Sequence, residues 1–124
     1  MRPDLKSIFS EVDATIISDP ISIEGAKRCE LMFTRSNHTS GNTVFSVEVS
    51  IDGTTYVTYN KLIDNVTNTN AQNKTRVASA TLSSDTSKIY AMDLENDYFK
   101  FMRVTATRTT DGKASCKAYL ELAH

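Results

Sequence analysis

Between Thr43 and Ser50 the chain alternates without a break: Phe45, Val47 and Val49 are apolar, Ser46, Glu48 and Ser50 polar. A period of two is the repeat of a β-strand, whose successive side chains leave opposite faces, and no helix face satisfies it. Arg28 to Arg35 carries the same pattern, with Cys29, Leu31 and Phe33 on one face, Arg28, Glu30 and Thr34 on the other, and Met32 as the exception. A sheet with one apolar face needs a second layer to bury it. Further strands are expected over Arg76 to Ser83 and Lys88 to Leu94, separated by the polar turn Ser84-Asp85-Thr86-Ser87. Short strands joined by polar turns indicate an all-β chain, an antiparallel β-sandwich of jelly-roll-like form. No repeat or linker interrupts it, so residues 19–124 are expected to form a single sandwich domain behind an N-terminal helix or arm over 1–18.

That first segment reads differently. Leu5, Ile8, Phe9 and Val12 recur at i, i+3, i+4 and i+7, while Pro3 and Asp4 suit a first helical turn. The spacing predicts a short helix over Pro3 to Val12. The competing reading is an extended arm continuing through Ala14 to Ser18, until Asp19-Pro20 breaks the chain. Either way the stripe is large to leave in water. It is expected to dock on another subunit or particle partner, or to cap an open end of its own sandwich.

Two tight hairpins are expected from register arithmetic. A loop of Ile51-Asp52-Gly53, closed by a G1 bulge at Gly53, sets Val47 opposite Val57 and Phe45 opposite Tyr59. A loop of Thr110-Asp111-Gly112 sets Ala106 opposite Cys116, Val104 opposite Ala118 and Met102 opposite Leu120. Gly53 and Gly112 are then expected at positive φ. Asp64 to Thr75, rich in Asn and Thr, reads as one long exposed loop.

Several function classes lose support. Lys and Arg total 14 against 15 Asp and Glu, a formal net charge of −1, so no basic excess attracts nucleic acid. No apolar run approaches the roughly 18 residues of a membrane span. Met1 to Lys6 leads into no apolar segment of the signal-peptide kind. The sequons at Asn37, Asn65 and Asn73 therefore read as polar loop residues. His38 and His124 are the only histidines, and no nucleophile or phosphate-loop motif is present. The chain is expected not to be an enzyme, with no catalytic, metal-binding or cofactor-binding residue assigned. Asp93-Leu94-Glu95-Asn96-Asp97 has oxygen ligands suited to calcium, but reads first as a solvated turn. Cys29 and Cys116 fall on apolar phases and read as buried free thiols; a disulfide requires their strands to face each other at bonding distance.

One strand is apolar on both faces. Phe99 and Phe101 lie on the phase opposite Met102 and Val104, and Arg103 follows on the same face as the two phenylalanines. Such a strand is covered on both sides or meets a partner. The candidate partner-binding set is therefore Leu5, Ile8, Phe9, Val12, Phe99, Phe101 and Arg103.

The stretch from Phe45 to Val57, with its Ser-Ile-Asp-Gly turn, resembles galactose-binding-like (discoidin-type) β-sandwiches and small phage virion proteins built on such sandwiches. Tyr98 to Ala106 is similar to the strand that begins their closing hairpin. Tyr56 stands where those modules often carry Trp, and the terminal cysteine pair of secreted discoidin modules is missing. These departures favour the virion branch, so no sugar-binding residues are carried over. The resemblance implies a non-catalytic virion structural protein, a capsid decoration or tail-associated component made in the host cytoplasm. It would act as a homo-oligomer contacting other virion proteins, with no nucleic-acid or membrane partner. A carbohydrate- or ligand-binding sandwich module is the alternative.

Overall fold

The computed structural model describes residues 2–64, 76–95 and 97–122, and among them every regular element is a strand. The elements are β1 (Arg2–Val12), β2 (Ile16–Ile17), β3 (Ile21–Ser22), β4 (Ala26–Ser36), β5 (Gly41–Ser50), β6 (Val57–Thr58), β7 (Leu62–Ile63), β8 (Arg76–Val77), β9 (Ala80–Leu82), β10 (Thr86–Asp93), β11 (Phe101–Thr110) and β12 (Lys113–Leu122). They form two antiparallel sheets packed as a sandwich. The first runs β1-β12-β4-β10-β7-β8; the second runs β2-β11-β5-β6, with β3 also beside β11 and β9 beside β5. The loop expected over Asp64 to Thr75, with the sequons at Asn65 and Asn73, falls almost wholly outside the described residues.

The alternating phases do what their spacing demands. Cys29, Leu31 and Phe33 of β4, and Phe45, Val47 and Val49 of β5, are all buried and meet in one core. Phe45 stacks on Phe33 at 4.8 Å between centroids, Phe33 meets Tyr90 at 5.8 Å, and Phe9 stacks on the Phe45 side at 6.5 Å. Both cysteines are buried free thiols. Cys29 lies opposite Leu120 while Cys116 lies opposite Phe33, so the two are far out of register on neighbouring strands and cannot bond. Burial pushes the Cys29 thiol up to about 12 and raises Cys116 as well.

The N-terminal segment is a strand, not the predicted helix. β1 pairs with β12 from Arg2↔Leu122 to Ser7↔Lys117, then shifts register between Ser7 and Phe9 and again between Phe9 and Val12. Each shift admits one extra residue. Phe9 thus meets Cys116 and Val12 meets Ala114, so residues three apart land on partners two apart. A twice-bulged strand imitates the i, i+3, i+4 spacing of a helix. A helix this short is marginal alone, whereas the edge of β12 offers a ladder. Phe9 is buried, Ile8 and Val12 pack against the core, and Leu5 stays exposed.

The C-terminal pair is not a hairpin either. β11 pairs with β5 from Phe101↔Ser50 to Thr110↔Gly41, while β12 pairs with β4 from Lys113↔Ser36 to Leu122↔Ala26. The turn between them crosses from one sheet to the other, as does the turn from β4 to β5. The inward faces still match the arithmetic, because Met102, Val104, Ala106, Cys116, Ala118 and Leu120 are all buried. The first hairpin does form, two residues wider than expected: Val49 faces Val57, Glu48 faces Thr58, and Tyr59 N donates to Val47 O at 2.8 Å. Side chains hold the wider loop. Ser50 Oγ accepts from Gly53 N at 2.8 Å, and Asp52 Oδ1 accepts from Thr54 N at 2.8 Å and Thr55 N at 2.9 Å. Gly53 and Gly112 both have positive φ, 80° and 103°.

At the end where chain crosses between sheets, Arg35 is buried. Its guanidinium donates to Gly41 O (3.0 Å), Ser40 O (2.7 Å) and Asp111 O (3.0 Å), joining both crossing turns. The Asp111 carboxylate, 3.8 Å from that guanidinium, accepts from Thr39 N at 2.8 Å, Ser40 N at 3.3 Å and the Thr39 hydroxyl. These bonds, the Thr39 hydroxyl first, hold its carboxyl down at about 2. His38 joins the same end to the turn before β10 through its backbone N–H and ring, both on Asp85. We term this the closed end.

Candidate contact surface at the open end of the sandwich

The opposite end collects residues 23–25, 51–56, 59–61, 94–95 and 97–100. There several aromatic and aliphatic side chains reach water among charged ones. Tyr98 is 87% exposed, Ile51 67% and Val57 58%. Hollows lined by described residues indent this surface. One of about 430 Å³ lies between Ile51, Val57, Val49 and Phe99. A second, about 290 Å³, is lined by Ile23, Glu24, Lys27, Leu94, Tyr98 and Phe99 among others. The third, about 280 Å³, lies between Tyr59, Lys61, Arg76, Asp93 and Asp97. Phe99 borders the first two and Asp97 the last two, so the hollows are contiguous.

Local chemistry sets each group. Phe99 packs edge-on to buried Tyr59 at 6.3 Å, which fixes the ridge between two hollows. Burial first, then the Asp97 and Asp93 carboxylates, push the Tyr59 phenol up to about 12. Lys61 pairs with Asp97 at 3.6 Å and Lys100 with Glu24 at 3.8 Å. The Asp93 carboxylate accepts from Glu95 N at 3.3 Å, and Asp97 N donates to Leu94 O at 3.1 Å, so this acidic stretch is built as a turn. Among the described residues no cluster of His, Cys, Asp or Glu has the grouping of a metal site.

The sequence-derived contact residues divide between these places. Phe99 lies at the open end, half-buried, and Phe101 is partly covered, its ring 3.2 Å from where a Cβ on Gly53 would stand. Arg103 is engaged within the chain: its Nε bonds Glu48 at 2.8 Å and its guanidinium lies 4.1 Å from the Tyr56 ring centroid. Leu5, Ile8, Phe9 and Val12 lie along β1, at the edge of the first sheet. Tyr98, Ile51 and Val57 were not among the contact residues expected from the sequence. An isoleucine inside a Ser-x-Asp-Gly turn was the available signal, since turns of this type are otherwise polar.

No protein-family model and no curated protein sequence matches the chain. Among solved structures, the crystal structure of the SPBc2 prophage-derived protein YomS matches with a TM-score of 0.69 over 97% of this chain and 95% of that one, at 7% identity. At that identity the likeness establishes a shared fold.

Proposed function

We propose that the chain is a non-catalytic structural component of a phage or related virus, acting by protein–protein contact through the open end of its sandwich. The observation that carries this reading is the exposed set Tyr98, Ile51 and Val57 around the Phe99 ridge. Large apolar groups gathered at one end of a fold mark a contact surface, and tyrosine suits one because it offers area at little entropic cost. The full-length fold likeness to a prophage-derived protein supports a phage origin. Capsid decoration and tail association both fit a compact domain with one adhesive end.

Density-gradient separation of particles from the producing host tests the proposal. A fixed stoichiometry of the chain in the particle fraction is expected, reduced at least tenfold by the Tyr98→Ser, Ile51→Ser pair. Particles that assemble while the chain stays wholly outside them overturn the virion role.

One observation favours a second reading, a carbohydrate-binding module: Tyr98, 87% exposed, lines a hollow together with Glu24 and Lys27. An exposed ring beside polar groups suits a sugar face. Glycan-array binding lost on Tyr98→Ala would support it over the structural role.

A further inference from the structure

β1 is the outer strand of the first sheet, paired with β12 on one side and with no strand of the described residues on the other. Its pairing with β12 is regular from Arg2 to Ser7, before the first bulge. A regular free edge presents unpaired N–H and C=O groups, a template for another strand. We infer that this edge pairs antiparallel with the same edge of a second copy, around a two-fold axis at Leu5.

The charges select that register. A two-fold axis perpendicular to the sheet keeps outer faces together, so only registers shifted by two residues compete. Centring on Leu5 sets Asp4 of each copy opposite Lys6 of the other, giving opposite-charge pairs on both sides of the axis. Centring on Asp4 would oppose Asp4 to Asp4; centring on Lys6 would oppose Lys6 to Lys6. Both neighbouring registers place like charges directly across, which is destabilising. Within one copy Asp4 and Lys6 already lie 3.4 Å apart and only partly covered, so both are at hand for this exchange. Charges on an edge strand normally repel strange partners. Here they reject wrong registers and admit one.

The outer face agrees. Leu5 is 65% exposed and lies opposite Tyr119, itself 48% exposed, on β12. In the inferred dimer Leu5 meets Leu5, and Tyr119–Leu5–Leu5–Tyr119 becomes one continuous row across the joined sheets. The residues this pairing uses, Pro3 to Ser7, all fall within the regular run from Arg2 to Ser7. Beyond it the bulges at Ile8 and around Glu11 turn the strand away and end the ladder, with Glu11 at φ 49°.

This inference deepens the structural-component reading by supplying a self-association, and it uses a surface apart from the open end. Sedimentation equilibrium over a concentration series at low salt tests it with the full chain. Wild type is expected to dimerise in roughly the micromolar range, as suits a short interface. Lys6→Asp and Asp4→Lys each place like charges across the axis and are expected to weaken the dimer at least tenfold. The double exchange Asp4→Lys, Lys6→Asp restores the pairing and is expected to recover affinity to within about threefold of wild type. Equal melting temperatures across the set exclude misfolding as the cause. A wild type monomeric up to about 500 μM overturns the inference; so does a double exchange that fails to rescue. A dimer insensitive to these charges but lost on Tyr98→Ser also overturns it, and assigns self-association to the open end. A monomeric chain still found in particles would sink the edge pairing alone.

Discussion

The two ends of this sandwich are built on opposite terms. At the closed end hydrogen bonds join a buried arginine, an aspartate and two crossing turns, and little apolar surface reaches water. At the open end the turns are held by local bonds, such as those of Ser50 and Asp52, while Tyr98, Ile51 and Val57 face outward. A polar network in low dielectric is costly if broken, so it resists change. Exposed apolar groups contribute little to the free chain, so they are free to serve contact. The difference teaches where to look for stability and where for binding.

The largest effect should come from Arg35. Its guanidinium donates to Ser40 O and Gly41 O in one crossing turn and to Asp111 O in the other, and its replacement takes a donor from each carbonyl. Arg35→Leu is expected to cost about 3–5 kcal/mol in urea unfolding. Arg35→Lys should also lose most of that, because a lysine cannot serve three carbonyls in the plane of a fork. A loss under about 1 kcal/mol for the leucine variant would abolish the contrast between the ends.

Glycines grade the same contrast. A Cβ on Gly41 (φ +74) would stand 2.1 Å from Thr109 O, and one on Gly112 (φ +103) 2.7 Å from Arg35 Nε. On Gly53 (φ +80) it would stand 3.2 Å from the Phe101 ring, which is half-exposed and able to yield. Gly41→Ala is expected to cost about 2–4 kcal/mol, Gly112→Ala about 2, and Gly53→Ala about 1. Thermal melts of the three would overturn the grading if Gly53→Ala proved the worst.

Much of the sandwich was legible because burial on one face writes a period of two, as in Phe45-Val47-Val49. Which strands pair was not, because a hairpin and a crossing between sheets place the same side chains inward. Thr110-Asp111-Gly112 therefore suggested a hairpin where the chain changes sheets. The helix expected over Pro3 to Val12 failed for a related reason: two bulges shift a strand's phase into a helix-like spacing. Arg35 shares the inward phase of Cys29, Leu31 and Phe33, and that misplaced charge was the readable sign of the closed end. Tyr98 had no such sign. Its exposure depends on how separate turns gather, which no local pattern records, and only its neighbour Phe99 was marked.

Acid should reach the closed end more strongly. The carboxyl of Asp111 is held at about 2, chiefly by the Thr39 hydroxyl, against an ordinary value near 4 when unfolded. A lowered folded value gives stability that is complete above about pH 4 and is lost as pH falls toward about 2. At the open end Asp52 is also lowered, chiefly by the Thr55 N–H. Melting temperatures of wild type are expected to fall across that window, and Asp111→Asn to flatten the fall more than Asp52→Asn. Equal slopes for wild type and Asp111→Asn would remove Asp111 from the account.

The smallest effect on folding is expected at the residues proposed to matter most for contact. Tyr98 lies almost wholly in water and Ile51 mostly so, so truncating them removes little area buried on folding. No hydrogen bond of the closed end passes through either. Tyr98→Ser and Ile51→Ser should each stay within about 0.5 kcal/mol of wild type in urea unfolding. Phe99→Ala should cost more, since its ring packs on Tyr59 and borders two hollows. Selection for folding alone has no use for an exposed isoleucine and tyrosine at one end, and a polar pair there would serve as well. If either serine variant instead loses more than about 2 kcal/mol, those side chains belong to the core in solution and the open end is not a free surface.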